Sequence, residues 1–234
     1  MPPCKYLNRL LPLLALLLAG CASTEAPHQL SYDGLELVPG TRFAQVYRRP
    51  GAELTGYEGY GLVPCRVAFR QNWLRDQNSS ALNLSSRVTQ KDVDQIKDRL
   101  GEACDQYFRE ALERAPPYPM VSSFSDGERV LILRPAIINL DISAPDTLSA
   151  GRGRTFTTEA GQMTLVLEVI DATTGEILVR VVDQQRDTRT NRLQWTNSVT
   201  NAAAAKRILS RWAGRLREGL DEVTGHGEPT GESS

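Results

Sequence analysis

Histidine is nearly absent from this 234-residue chain: there are 2, His28 and His226, one toward each end. Histidine supplies most hydrolytic bases and many metal ligands near neutral pH. Neither ring falls in a segment patterned for a core, so a Ser–His–acid triad, a Cys–His pair and a histidine-ligated metal all lack their central member. Acidic and basic groups nearly cancel, leaving a net charge of −1. No global field therefore draws the chain to nucleic acid or to anionic lipid. Past residue 20 no apolar run is long enough to cross a bilayer. These absences predict a non-enzymatic protein with no metal, no cofactor and no nucleic-acid partner.

What is present begins at the N-terminus. Lys5 and Arg9 precede an almost wholly apolar run over residues 10–19, and small residues follow it. That is the order of a secretory signal peptide. Ten helical residues rise only ~15 Å, half of a ~30 Å bilayer core, so the run is no stable span. Leu18-Ala19-Gly20-Cys21 resembles a bacterial lipobox. The resemblance implies cleavage between Gly20 and Cys21, a diacylglyceryl group on the Cys21 thiol and a lipid bilayer as the first partner. An ordinary signal peptide with an incidental cysteine is the plainer alternative. Ala22 stands where inner-membrane retention usually shows Asp. By resemblance to Gram-negative lipoproteins, this favours the outer membrane with the domain facing the periplasm.

Cys4 leaves with the signal and Cys21 is consumed by lipid, so Cys65 and Cys104 remain. The periplasm is oxidising, which invites a bridge between them. Val63, Cys65, Val67 and Phe69 alternate with Pro64, Arg66 and Ala68, which puts Cys65 on the apolar side of a strand. Cys104 shares a helical stripe with Leu100, Tyr107 and Ala111. The two residues are either a disulfide or two separate buried thiols.

The pattern divides the chain into a signal (1–20), a lipidated cysteine with a flexible tether (21–40), one α+β domain (41–224) and a disordered tail (225–234). Strands are expected at 42–48, 62–69 and within 127–143, with a bend or exit from the sheet at Pro135. Residues 72–86 are polar and read as a loop. Thr89 is placed to cap a helix that Pro116-Pro117 ends. Met163, Leu165, Leu167 and Val169 alternate into a turn at Asp171 to Gly175, and Ile177, Val179 and Val181 resume the alternation as a hairpin. Ala205, Ile208, Leu209, Trp212, Leu216 and Leu220 form one stripe of a final helix over 201–223. The expected fold is a two-layer α+β domain. It has a mostly antiparallel sheet of about five to six strands with two long amphipathic helices on one face.

Candidate chemistry is sparse. Asp141, Asp146 and Glu168 near strands could make a carboxylate pair, though acids are common at strand ends. Gly151-Arg152-Gly153-Arg154-Thr155 has phosphate-cradling residue types without P-loop spacing, and a solvated loop explains it as well. Arg186, Arg189 and Arg192 could contact an anionic ligand or partner, or belong to a salt-laced edge strand. Tyr57 and Tyr60 could stack on a ligand or brace a loop.

Several separated segments resemble one family together. They are Leu30-Ser31-Tyr32-Asp33-Gly34-Leu35, Tyr47-Arg48-Arg49-Pro50-Gly51, Tyr57 and Pro64-Cys65-Arg66-Val67. Asp171, Thr174 and Gly175 of the turn follow, then Trp212-Ala213, Leu216 and Leu220-Asp221. This resembles proteobacterial lipoproteins classed as a domain of unknown function. The resemblance implies location and fold, and no site. The expectation is a membrane-anchored accessory protein that binds an envelope protein or cell-wall component. The alternative is a structural subunit, homo-oligomeric or within an outer-membrane secretion or transport assembly.

Overall fold

In the computed structural model the hairpin is the spine of the domain, and its turn follows from three residues. Asp171 Oδ1 accepts from the backbone N–H groups of Thr173 and Thr174, both at 2.8 Å, and Gly175 supplies the positive φ of 71° that closes the turn. The structure describes residues 30–79, 87–123, 125, 128–142, 156–157, 161–186, 194–195 and 198–226.

In chain order the elements are β1 (Glu36–Val38), β2 (Gln45–Arg48), β3 (Gly59–Leu62), β4 (Arg66–Phe69), α1 (Trp73–Asn78) and α2 (Gln90–Leu112). They continue with β5 (Val130–Asp141), β6 (Phe156–Thr157), β7 (Gln162–Asp171), β8 (Ile177–Arg186), β9 (Gln194–Trp195) and α3 (Ser198–Thr224). Seven strands form one sheet in the order β1-β2-β8-β7-β5-β3, with β4 also on β5. Pairing is antiparallel except along β5, where β3 and then β4 run parallel to it. The separate β6–β9 ladder is antiparallel. The α+β class and the two long helices on one face agree with the sequence reading.

Alternation decides the two faces. Leu131, Leu133 and Ile137 of β5, Leu165 and Leu167 of β7 and Val181 of β8 are buried on one side. They pack in one core with Leu100, Cys104 and Phe108 of α2 and Leu209, Trp212 and Leu216 of α3. Thr89 caps α2 through a reciprocal box with Asp92, as its spacing predicts. The two helices run side by side in the same direction. Arg217 of α3 ties their C-terminal ends together: only 5% exposed, it donates to the carbonyls of Arg114 and Pro116, both at 2.7 Å, and stacks on the Tyr118 ring.

Cys65 and Cys104 are joined by a disulfide in the structure. Gly101, one turn before Cys104, makes the approach feasible. A Cβ there would sit 3.0 Å from the Cys65 carbonyl oxygen, so a helix-weakening glycine is retained where α2 meets the chain closely.

Five points differ from the sequence reading. The segment read as the end of the tether is structured from Leu30, because β1 pairs with β2 and Leu35 is fully buried. Residues 62–69 are two strands, split around Pro64. Pro135 stays inside β5: Leu133 turns its backbone toward β3, accepting from the Val63 N–H, and Pro135 faces the same side two residues on. Its missing N–H therefore meets the gap between β3 and β4, where no ladder bond is due. In the polar stretch read as a loop, α1 forms because buried Trp73 anchors it, donating its indole N–H to the Ile142 carbonyl at 2.9 Å. At the other end, His226, read as tail, stacks on Tyr118 at 4.2 Å.

Candidate functional site

The face of the sheet away from the helices carries a ladder of charge. Glu168 of β7 lies opposite Arg134 of β5 and Arg180 of β8, with hydrogen bonds of 2.6 Å and 3.0 Å. Arg180 also grips Asp33 through two bonds, at 3.0 and 2.6 Å, and lies under Tyr32, whose ring is 95% exposed. The Arg180 hydrogen bonds, with help from Ser31, hold the Asp33 carboxyl down to about 2. The Arg180 guanidinium is in turn pushed up by Asp33, then Glu168.

A carboxyl whose folded pKa is depressed stabilises the fold above its unfolded value of about 3.9, and that stability fades as pH falls toward 2. Asp33→Asn should therefore cost about 1 kcal/mol at pH 7, with the gap from the parent closing between about pH 4 and 2. Urea denaturation of both proteins across that range measures it. An equal gap at pH 2 and pH 7 would contradict the assignment.

This geometry also places the sequence-level carboxylates. Glu168 is held between two arginines, and Asp141 pairs with Arg70 at 2.9 Å. Asp141 lies opposite Gln162, six residues along β7 from Glu168 and so roughly 20 Å away, too far to act as a pair. Asp146 and the 151–155 segment lie outside the described residues, as do Gly20, Cys21, Arg189 and Arg192. Arg186 ends β8, opposite Gln162 of β7 and exposed; β2 pairs with β8 only over Val179–Val182, so past Val182 β7 alone pairs with it among the described residues. Tyr57 braces its loop by donating to Asp171 at 2.7 Å, and burial with that carboxylate raises its pKa to about 12. Tyr60 is buried edge-to-face against Tyr118 at 4.5 Å.

On the helix-facing side sits a residue that the sequence pattern hid. Asp183 is 2% exposed and accepts from Trp212 Nε1 at 2.7 Å, Gln185 Nε2 at 2.7 Å, the Ala44 N–H at 2.9 Å and Arg215 Nη1 at 3.3 Å. It joins β8, α3 and the lead-in to β2, a structural role rather than an open site.

One feature with room for a ligand is a groove of about 400 Å³ between the middle of α2 and the N-terminal half of α3; a second cavity, of about 370 Å³, lies beside β3. The floor of the groove is the end of the sheet, where β5 finishes at Asp141 and β7 begins at Gln162, with Leu140 and Met163 facing the groove. Ile96, Leu100 and Tyr107 form one wall and Ala205, Ile208 and Leu209 the other. Gly161 is required in the floor: its φ is +143°, and a Cβ would lie 2.8 Å from the Asp141 carbonyl oxygen. Arg99 and Lys206 stand exposed on the two walls. Among the described residues no group of three or more His, Cys, Asp or Glu side chains could hold a metal, and no helix is long and apolar enough to cross a membrane.

Residues 29–216 match the family described as "Protein of unknown function (DUF3313)". No curated protein is significantly similar to the chain. Among solved structures, the PelC dodecamer from Paraburkholderia phytofirmans is similar at 11% identity, over 74% of this chain and 96% of that one, with a TM-score of 0.34. A putative lipoprotein from Caulobacter crescentus CB15 is 12% identical over 56% of this chain and 88% of its own, with a TM-score of 0.33. A DUF330 protein from Xanthomonas campestris is 14% identical over 80% and 94%, with a TM-score of 0.34. At such scores these likenesses carry no function or assembly over to this chain.

Proposed function

The chain belongs to this DUF3313 family, and from that premise we propose that it is a lipid-anchored envelope protein working by binding rather than by catalysis. Cys21, acylated, would hold it on the outer membrane and the domain would face the periplasm. Each buried methylene contributes ~0.8 kcal/mol, so two or three acyl chains make the anchor effectively permanent. The observation that carries the binding role is the open apolar groove beside α2 and α3. Glu168 and Asp141, the described acids nearest to catalytic candidates, are each committed to arginine.

The reading is tested by crosslinking the tagged protein in cells, followed by pull-down and mass spectrometry, with Cys21→Ala as the unanchored control. A partner recovered in near-equal amount, and lost with the anchor, is the expected result. Recovery of the chain alone as a discrete large species would replace the accessory role with that of a structural subunit.

A further inference from the structure

The groove between α2 and α3 lies within the size range of small-molecule sites, and its lining has a one-sided chemistry. Both walls are apolar, and among the described residues none that lines it is a carboxylate. Among the described residues the charged ones in the lining are Arg99 and Lys206, cations on opposite helices. Both are exposed, and among the described residues neither has an ion-pair partner. An apolar slot rimmed by two exposed cations complements a hydrocarbon chain that ends in an anion.

We infer that the groove binds a single-chain anionic amphiphile, with its chain between α2 and α3 and its head group at Arg99 and Lys206. A methylene fills roughly the ~30 Å³ that a water occupies in the liquid, so 400 Å³ takes a chain of about a dozen carbons. That is one acyl chain, not the pair of a diacyl lipid. The shared chemistry is an acyl chain with an anionic head, which a free fatty carboxylate or a singly acylated phosphate ester would supply. The inference names the ligand class of the binding role proposed above and rests on that role.

The test uses the full chain carrying Cys21→Ala, purified from the periplasm so that its own lipid is not in competition. Calorimetric titration with decanoate, laurate and myristate, below their micelle concentrations, should show affinity rising two- to fourfold per methylene and levelling off near a dozen carbons. The double variant Arg99→Gln/Lys206→Gln should weaken laurate about tenfold at low salt and leave dodecanol unchanged. Ala103→Trp, within the slot, should remove both ligands. If that variant fails to fold, the chain-length series and the surface charge variant still decide.

A lysophospholipid binding more tightly than laurate, with the same dependence on the two cations, supports the site and identifies phosphate as the head. Absence of saturable laurate and lysophospholipid binding overturns the inference. So does equal binding of laurate and dodecanol that ignores both cations. These titrations need no cellular partner, so they fail or succeed independently of the crosslinking result.

Discussion

Replacing Asp183 with alanine should destabilise the domain by about 3–5 kcal/mol, with a fall in melting temperature of roughly 10 °C for a chain of this size. The side chain is 2% exposed and satisfies the indole of Trp212, the backbone of Ala44 and the side chains of Gln185 and Arg215. Truncation strands these donors together, and a buried donor without an acceptor costs its full desolvation penalty. Asp183→Asn should cost less. It keeps one acceptor oxygen, but its amide N–H₂ must face another donor. Urea denaturation of the three proteins tests this, with a lowered midpoint and unchanged slope expected. A loss under 1 kcal/mol for the alanine variant would show that the cluster is not a tie between β8 and α3.

The second large effect is redox-dependent. Cys65 and Cys104 are separated by 39 positions, and closing a loop of that length contributes about 4 kcal/mol in the chain-entropy description. The Cys65→Ala/Cys104→Ala protein should therefore unfold at a clearly lower urea concentration than the oxidised parent. Reductant should bring the parent most of the way to the same midpoint and leave the variant unmoved. Two free thiols in the denatured, unreduced parent would contradict the bridge, as would a midpoint indifferent to reductant.

What the sequence made legible was whatever is written in local period. The β7–β8 hairpin reads directly from alternation around Asp171 and Gly175, and α2 from the cap at Thr89 with a stripe ending before two prolines. Features that depend on partners far along the chain were not written that way. β1 has three residues, too few to alternate, and is held by Asp33 reaching Arg180 across 147 positions. Asp183 belongs to a polar run, and nothing local shows that Trp212 waits to donate to it. Pro135 reads as a strand breaker until β3 and β4 are seen to part opposite it.

The groove was hidden for a related reason. Leu100, Ile208 and Leu209 have the spacing of core residues, and they are buried. Only the end of the sheet at Asp141 and Gln162 turns that part of the interface into a slot. Arg99 and Lys206 read as ordinary solvated helix positions until the two walls are brought together. Gly20, Cys21, Arg189 and Arg192 lie outside the described residues, so the anchor rests on sequence alone.

Lipid attachment at Cys21 is the central claim, and intact-mass spectrometry of the mature protein, extracted from membranes with detergent, tests it most directly. The expected species begins at Cys21 and exceeds its polypeptide mass by a diacylglyceryl group, with or without a third acyl chain, and Cys21→Ala leaves the membrane fraction. A mature chain found free in the periplasm with an unmodified Cys21 thiol, or one that begins elsewhere, would contradict it.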